Sequence, residues 1–235
     1  MKRIFILTGI LTIFLVGCEI HPYADFLVDK KYAQPYEIIN FTNLSERGSS
    51  YMWDFDDGTI SYEYNPSHVY TYEGTYEVVL TVTSRDGNRD VTSITIEVYY
   101  PDLEITVAEW NVDEIIYYIV PGASVRLYPT LSDWVNQTNM VVEGFTDDNG
   151  IVTFINLNSQ QYYVDVWQEF YDNWDFYPDY VSYITTQWLQ PAQLNTFIAW
   201  ADYYPPSIKR IRNDKKSLIN KSNKRHTVSV ADASK

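Results

Sequence analysis

The 235-residue sequence predicts an all-β protein made of two tandem β-sandwiches. Three observations predict it. Apolar residues recur with a period of two, turn signals punctuate the chain about every 8–12 residues, and no long run keeps the 3.6-residue period of a helix. The composition agrees, because 46% hydrophobic residues with 22 Tyr, 10 Phe and 7 Trp suit half-buried pleated surfaces better than helices.

The first element is a leader, residues 1–17. Lys2 and Arg3 precede an apolar run from Ile4 to Gly17, which falls short of the ~20 residues a spanning helix needs and matches the core of a secretory signal. It ends in "LVGC", residues 15–18, which resembles the lipobox of bacterial lipoproteins. The resemblance implies cleavage before Cys18 and attachment of a diacylglycerol to its thiol, with residues 18–31 as the lipidated start and tether. Cys18 is the chain's one cysteine, so the mature protein has no intrachain disulfide. Acyl anchoring is worth roughly 0.8 kcal/mol per buried CH₂, and two or more chains make it stable. The alternative is an ordinary secretory leader in which Cys18 is incidental.

Residues 32–100 form the first predicted sandwich. Ile39 and Phe41 alternate with Asn40 and Thr42, and Tyr51, Trp53 and Phe55 alternate with Met52 and Asp54. Further on, Tyr76, Val78, Leu80 and Val82 share one face of a longer strand. Asp86-Gly87 turns the chain, and Ile94, Ile96 and Val98 return.

Within this segment "WDFDDG", residues 53–58, places three carboxylates in four positions. A calcium loop of EF-hand type fails on spacing: counted from Asp54, glycine falls fifth and Asn65 twelfth. A catalytic pair needs two acids facing one cleft, and here Asp54 and Asp56 share one face while Asp57 enters the turn. Turn architecture is the preferred reading, with the Asp side chains accepting backbone N–H groups; an incidental calcium ion stays open beside it. The run from Ser49 to Ser84 resembles the PKD domain, an immunoglobulin-like sandwich. The resemblance rests on Trp53, Asp54, Phe55, Asp57, Gly58, Asn65, Pro66, His68, Tyr70, Gly74, Tyr76, Val78, Leu80 and Val82. It implies an extracytoplasmic spacer or protein-contact module, with Trp53, Asp54, Phe55, Asp57, Gly58, His68 and Tyr76 as structural positions. Asp56 departs from the family, which more often has glycine there, although Asp tolerates a left-handed backbone better than most residues.

Pro101-Asp102 is the expected seam, and residues 101–205 form the second predicted sandwich. "LEITVAEW", "EIIYYIV" and "ASVRLYPT" read as strands; a turn follows at Asp148-Asn149-Gly150, and Tyr162, Val164 and Val166 oppose Tyr163, Asp165 and Trp167. The order of these runs resembles the transthyretin-like, carboxypeptidase-regulatory β-sandwich of Bacteroidetes lipoproteins, domains that accompany cell-surface assemblies. Residues 167–188 crowd nine aromatic rings among four acids. Rings beside carboxylates suit sugars, so Trp167, Trp174, Tyr177 and Tyr180 are the candidate binding residues. The competing reading is a hairpin whose rings pack on their own sandwich.

Residues 206–235 are a basic tail with the composition of a disordered segment. Charge separates it from the rest: residues 19–205 hold 6 basic and 29 acidic side chains, and the tail holds 9 basic and 2 acidic. An acidic body repels phosphate backbones, which excludes nucleic acid as its partner. The three histidines, His21, His68 and His226, lie far apart in sequence, and there is no nucleophile elbow or phosphate loop. The sequence therefore nominates no catalytic residue, no metal ligand set and no cofactor. The expected protein is a non-catalytic lipoprotein anchored in the bacterial outer membrane, contacting envelope or surface proteins. The alternative is a glycan-binding surface lipoprotein using residues 167–188.

Overall fold

The computed structural model describes residues 21–111, 114, 116–176 and 181–204. The leader, Cys18, Tyr177, Tyr180 and the basic tail lie outside them. Strands make up 50% of the structure and helices 6%, an all-β fold. No helix among the described residues is long and apolar enough to cross a membrane.

The N-terminal strands are β1 (Phe26–Val28), β2 (Tyr32–Ala33), β3 (Ile38–Asn43), β4 (Ser50–Asp54), β5 (Ile60–Ser61), β6 (Ser67–Val69), β7 (Gly74–Thr83) and β8 (Arg89–Val98). They form a three-stranded sheet, β1-β3-β6, and a five-stranded sheet, β2-β8-β7-β4-β5. Next come β9 (Asp102–Asn111), β10 (Ile116–Ile119), β11 (Ser124–Tyr128), helix α1 (Leu131–Asn136), β12 (Val142–Phe145), β13 (Ile151–Phe154), β14 (Tyr163–Gln168), β15 (Tyr171–Asp172), a 3-10 turn at Trp174–Phe176, α2 (Val181–Ile184), β16 (Leu194–Trp200) and β17 (Asp202–Tyr203). By contact density the chain divides into two compact units. Among the described residues, one gathers residues 21–28, Asn40–Pro66 and Glu77–Ile94; the other gathers Asp29–Ile39, Ser67–Tyr76 and those from Thr95 onward.

In the first unit the expected alternation holds. Phe41, Trp53, Val78, Leu80 and Val82 are buried while their neighbours along each strand are not. Trp53 on β4 meets Phe26 on β1 edge to face at 5.0 Å, and Phe41 on β3 packs against both Trp53 and Phe55. Such ring pairs contribute about 0.5–1.5 kcal/mol each beyond the area they bury. The Trp53 indole N–H donates to the Glu63 carbonyl at 2.9 Å, so the buried ring leaves no polar atom unpaired.

The second unit holds its own core. β11 pairs with β12 and β14, and β14 continues through β15 to β17. Facing that sheet, β9 pairs antiparallel with β13 over Leu103–Thr106 and with β10 over Ala108–Asn111, while β16 runs parallel along its other edge from Asp102 to Ala108. Leu103, Ile105, Val107, Val125, Leu127, Val164 and Val166 are buried in one cluster between these sheets. The turn at Asp148-Asn149-Gly150 does not close a hairpin: it leaves β12 in one sheet and enters β13 in the other. Asp147 Oδ1 accepts from the Asn149 and Ile151 N–H groups at 2.9 Å each, and Gly150 takes φ 72°, a region that favours glycine.

Candidate functional site

The acid-rich turn comes first because its chemistry is decided by what the oxygens touch. Asp54 Oδ1 accepts from the Asp56 N–H at 3.0 Å, and Asp57 Oδ1 accepts from the Thr59 N–H at 3.0 Å and its hydroxyl at 2.6 Å. Asp56 turns the other way, its Oδ2 accepting from the Glu77 N–H on β7 at 3.0 Å. Each acid thus satisfies a backbone donor of the turn or of the neighbouring strand. Asp56 takes φ 63° and Gly58 φ 85°, the left-handed geometry for which the family more often uses glycine at the first position. Among the described residues no group of three His, Cys, Asp or Glu side chains could hold a metal ion.

The other motif residues form a ring ladder. His68 sits edge-on to Tyr70 at 4.6 Å, Tyr70 stacks on Tyr76 at 4.0 Å, and the Tyr76 hydroxyl donates to the Tyr72 carbonyl at 3.0 Å. This last bond ties the entry of β7 to its preceding loop, the arrangement of a tyrosine corner.

Of the four rings expected to bind sugar, the two within the described residues, Trp167 and Trp174, differ in exposure. Trp167 is 42% exposed on β14, but Trp174 is 9% exposed and stacks on Trp134 with centroids 4.4 Å apart and planes 19° from parallel. Trp134 is itself fully buried, its indole N–H donating to the Val164 carbonyl at 3.0 Å, with Tyr128 and Ile184 around the pair. Trp174 is therefore a core ring, which corrects the expectation that it reads a ligand. The physical reason is α1: its face presents Trp134 to the sheet, and the 3-10 turn at Trp174–Phe176 covers that indole. The helix start carried a sequence signal that strand alternation obscured, Thr130 followed by Asp133. Thr130 Oγ1 accepts from the Asp133 N–H at 3.1 Å, an N-cap.

Sequence reasoning also missed an aromatic face outside residues 167–188. Cross-strand register places Tyr117 beside Trp110, Trp200 beside Ala108 and Ile198 beside Thr106, so these residues share the outer face of the β10-β9-β16 sheet. Trp200 meets Trp110 at 6.2 Å and Tyr117 at 6.3 Å, both edge to face. Trp110, Tyr117 and Ile198 are each about half exposed, at 49%, 58% and 49%. The signal was in the strand "TFIAWA": Phe197 and Ala199 fill the inner face, and Ile198 and Trp200 stand on the other, so both faces are apolar. Strands of that kind are covered on both sides or present an apolar patch.

On the inner face Glu109 continues the row Leu103, Ile105, Val107. Burial pushes its carboxyl above the usual range, the Asp202 carboxylate adds to this, and a hydrogen bond from the Tyr171 hydroxyl opposes it. Asp147 lies below the usual range, held there mainly by the Ile151 N–H and also by Asn149; Asp133 is lowered by Thr130 and Asn139.

Comparison with known proteins adds a family to this geometry. The sequence profile described as "PKD domain" matches residues 20–98. "Collagenase ColA" of Bacillus cereus is 47% identical over 57 residues, 23% of this chain and 6% of that protein. "Pre-pro-metalloprotease PrtV" of Vibrio cholerae is 45% identical over 84 residues, 36% of this chain and 8% of that protein. The chain thus spans only 6–8% of the curated relatives it matches. Among solved structures, the PKD1 domain of the Vibrio cholerae metalloprotease PrtV is 36% identical, with 34% of this chain covering 98% of that one at a TM-score of 0.30.

Proposed function

We propose that this chain, whose residues 20–98 match the PKD domain, is a non-catalytic, membrane-anchored lipoprotein of the bacterial cell envelope that works by holding a protein-contact surface. Anchorage is proposed at Cys18 in the outer membrane, on the strength of the "LVGC" sequence. The second sandwich is read as transthyretin-like, on the order of its strand motifs. One observation carries the contact function: the outer face of β10-β9-β16 exposes Trp110, Tyr117 and Ile198 together. Exposed apolar groups of this kind, centred on Trp and Tyr, mark interaction sites. The acids of "WDFDDG", engaged with backbone donors, support a structural rather than a chemical role for the PKD turn.

A photo-crosslinking residue in place of Tyr117, in intact cells, tests this reading. The expected result is a discrete crosslinked product with an envelope protein, reduced at least about tenfold by the double substitution Trp110→Ala, Ile198→Asp. A smear indistinguishable from a crosslinker placed at exposed Leu27 contradicts it.

A further inference from the structure

A second site lies elsewhere on the same unit, where the chain runs from Thr186 to Asn195 before entering β16. Its backbone is pinned at both ends. The Thr186 N–H donates to the Tyr162 carbonyl at 2.9 Å, and Thr186 Oγ1 accepts from the Tyr162 N–H at 3.0 Å. The Leu189 N–H donates to the Gln160 carbonyl at 3.1 Å. Thr186 and Leu189 are buried by these contacts, so the two residues between them, Gln187 and Trp188, stand in solvent, and the Trp188 indole is 61% exposed. Asn195 closes the other side: its Oδ1 accepts from the Gln190 N–H at 2.9 Å, and its Nδ2 donates to the Asp102 and Gln190 carbonyls at 3.0 Å each.

The result is a cavity of about 250 Å³ walled by Gln187, Trp188, Gln190, Gln193 and Asn195, with Phe197 among its apolar lining. No lining residue is charged, although residues 19–205 carry 29 acids against 6 bases. A carboxamide both donates and accepts, as a hydroxyl does. A flat indole beside it offers an apolar face that C–H groups can cover. A cationic ligand would call for carboxylates here, an anion would be repelled by the acidic body, and a wholly apolar ligand would strip the amides of water without replacing it. A neutral ligand with many hydroxyls and an apolar face meets all three conditions. The volume lies just below the ~300 Å³ at which whole small-molecule sites begin, which suits one ring of a longer chain.

We propose that this cavity binds one sugar ring of a neutral glycan, with Trp188 as the stacking platform and Gln187 and Gln193 as the hydroxyl readers. The pinned backbone holds these groups in place before the ligand arrives, which reduces the ordering cost of binding. The site shares no residue with the Trp110 face, so the two can be separated by substitution.

The test uses the full chain in a detergent without a sugar head group, titrated with cellohexaose, mannohexaose and laminarihexaose and followed by tryptophan fluorescence and calorimetry. An oligogalacturonate serves as the charged comparison. The expected result is saturable binding of at least one neutral hexasaccharide, weakened at least about tenfold by Trp188→Ala and by the pair Gln187→Ala, Gln193→Ala, and unchanged by Trp110→Ala. Circular dichroism and thermal midpoints of the variants establish that they fold, as the exposure of all three side chains leads one to expect. Lack of binding by all three neutral hexasaccharides at about 10 mM, roughly ten times a millimolar Kd, overturns the proposal. So does binding that survives Trp188→Ala, or a preference for the charged oligomer.

Discussion

Asp56 shows how a single acid can be explained by backbone geometry. At φ 63° it takes a conformation that is awkward for any residue with a Cβ, yet its carboxylate reaches the Glu77 N–H on the neighbouring strand. Asp56→Ala keeps the strain and loses the bond, and should lower stability by about 1–2 kcal/mol. Asp56→Gly loses the bond but relieves the strain, and should stay within about 0.5 kcal/mol of the parent; urea midpoints of the two variants make the comparison. Two other acids set opposite pH dependences. Asp147 has a lowered native pKa, so its stabilisation is complete above the ordinary carboxylate value of about 3.9 and fades as pH falls through the native value. Asp147→Asn should therefore lower the midpoint at pH 7 and flatten the acid limb of the profile. Glu109 is raised by burial and by Asp202, so its favourable contribution exists at low pH and is lost as pH rises through the native value. Glu109→Gln should raise the urea midpoint at pH 7 and leave it unchanged near about pH 3.5, below the ordinary glutamate value of about 4.3.

Among the elements, α1 and the turn that covers it decide which rings the second unit shows to solvent. Trp134→Ala removes a fully buried indole and its bond to the Val164 carbonyl, and should cost about 3–5 kcal/mol. Trp174→Ala should follow in the same direction, while exposed Trp167→Ala should change the thermal midpoint little; equal effects from the two would contradict the placement. Thr130→Ala, which removes the N-cap bond to Asp133, should cost about 1 kcal/mol. These elements also show what could be read from the chain. Alternation along β4 and β7 and the turns at Gly58, Gly87 and Gly150 are local properties, written in period and turn chemistry, whereas on β14 Asp165 is buried along with Val164 and Val166. The parallel pairing of β16 with β9 is not local. It joins segments some 90 residues apart, as Leu194 beside Asp102 shows, and so determines from a distance that Trp200 and Trp110 meet. Trp174 fails for a related reason: nothing in its neighbours says that Trp134, 40 positions earlier, lies beneath it. The cavity beside Trp188 is built from amides whose grouping appears only once Asn195 folds the loop back on Gln190.

At the scale of the molecule, a segment that matches the PKD domain precedes a second β-unit with an exposed aromatic face, and an acyl tether is proposed at Cys18. Such a tether would make the proposed contact function dependent on location, since a released protein would meet envelope partners only by diffusion. Replacing Cys18 with Ser should move the protein from the membrane fraction to the soluble fraction without altering the thermal midpoint of the folded units. A single measurement tests the central claim most directly: intact-mass and peptide mass spectrometry of the protein purified from the membrane fraction of its own cells. The account predicts a mature chain beginning at Cys18, carrying a thioether-linked diacylglycerol. A chain recovered from the soluble fraction with Cys18 unmodified would contradict it.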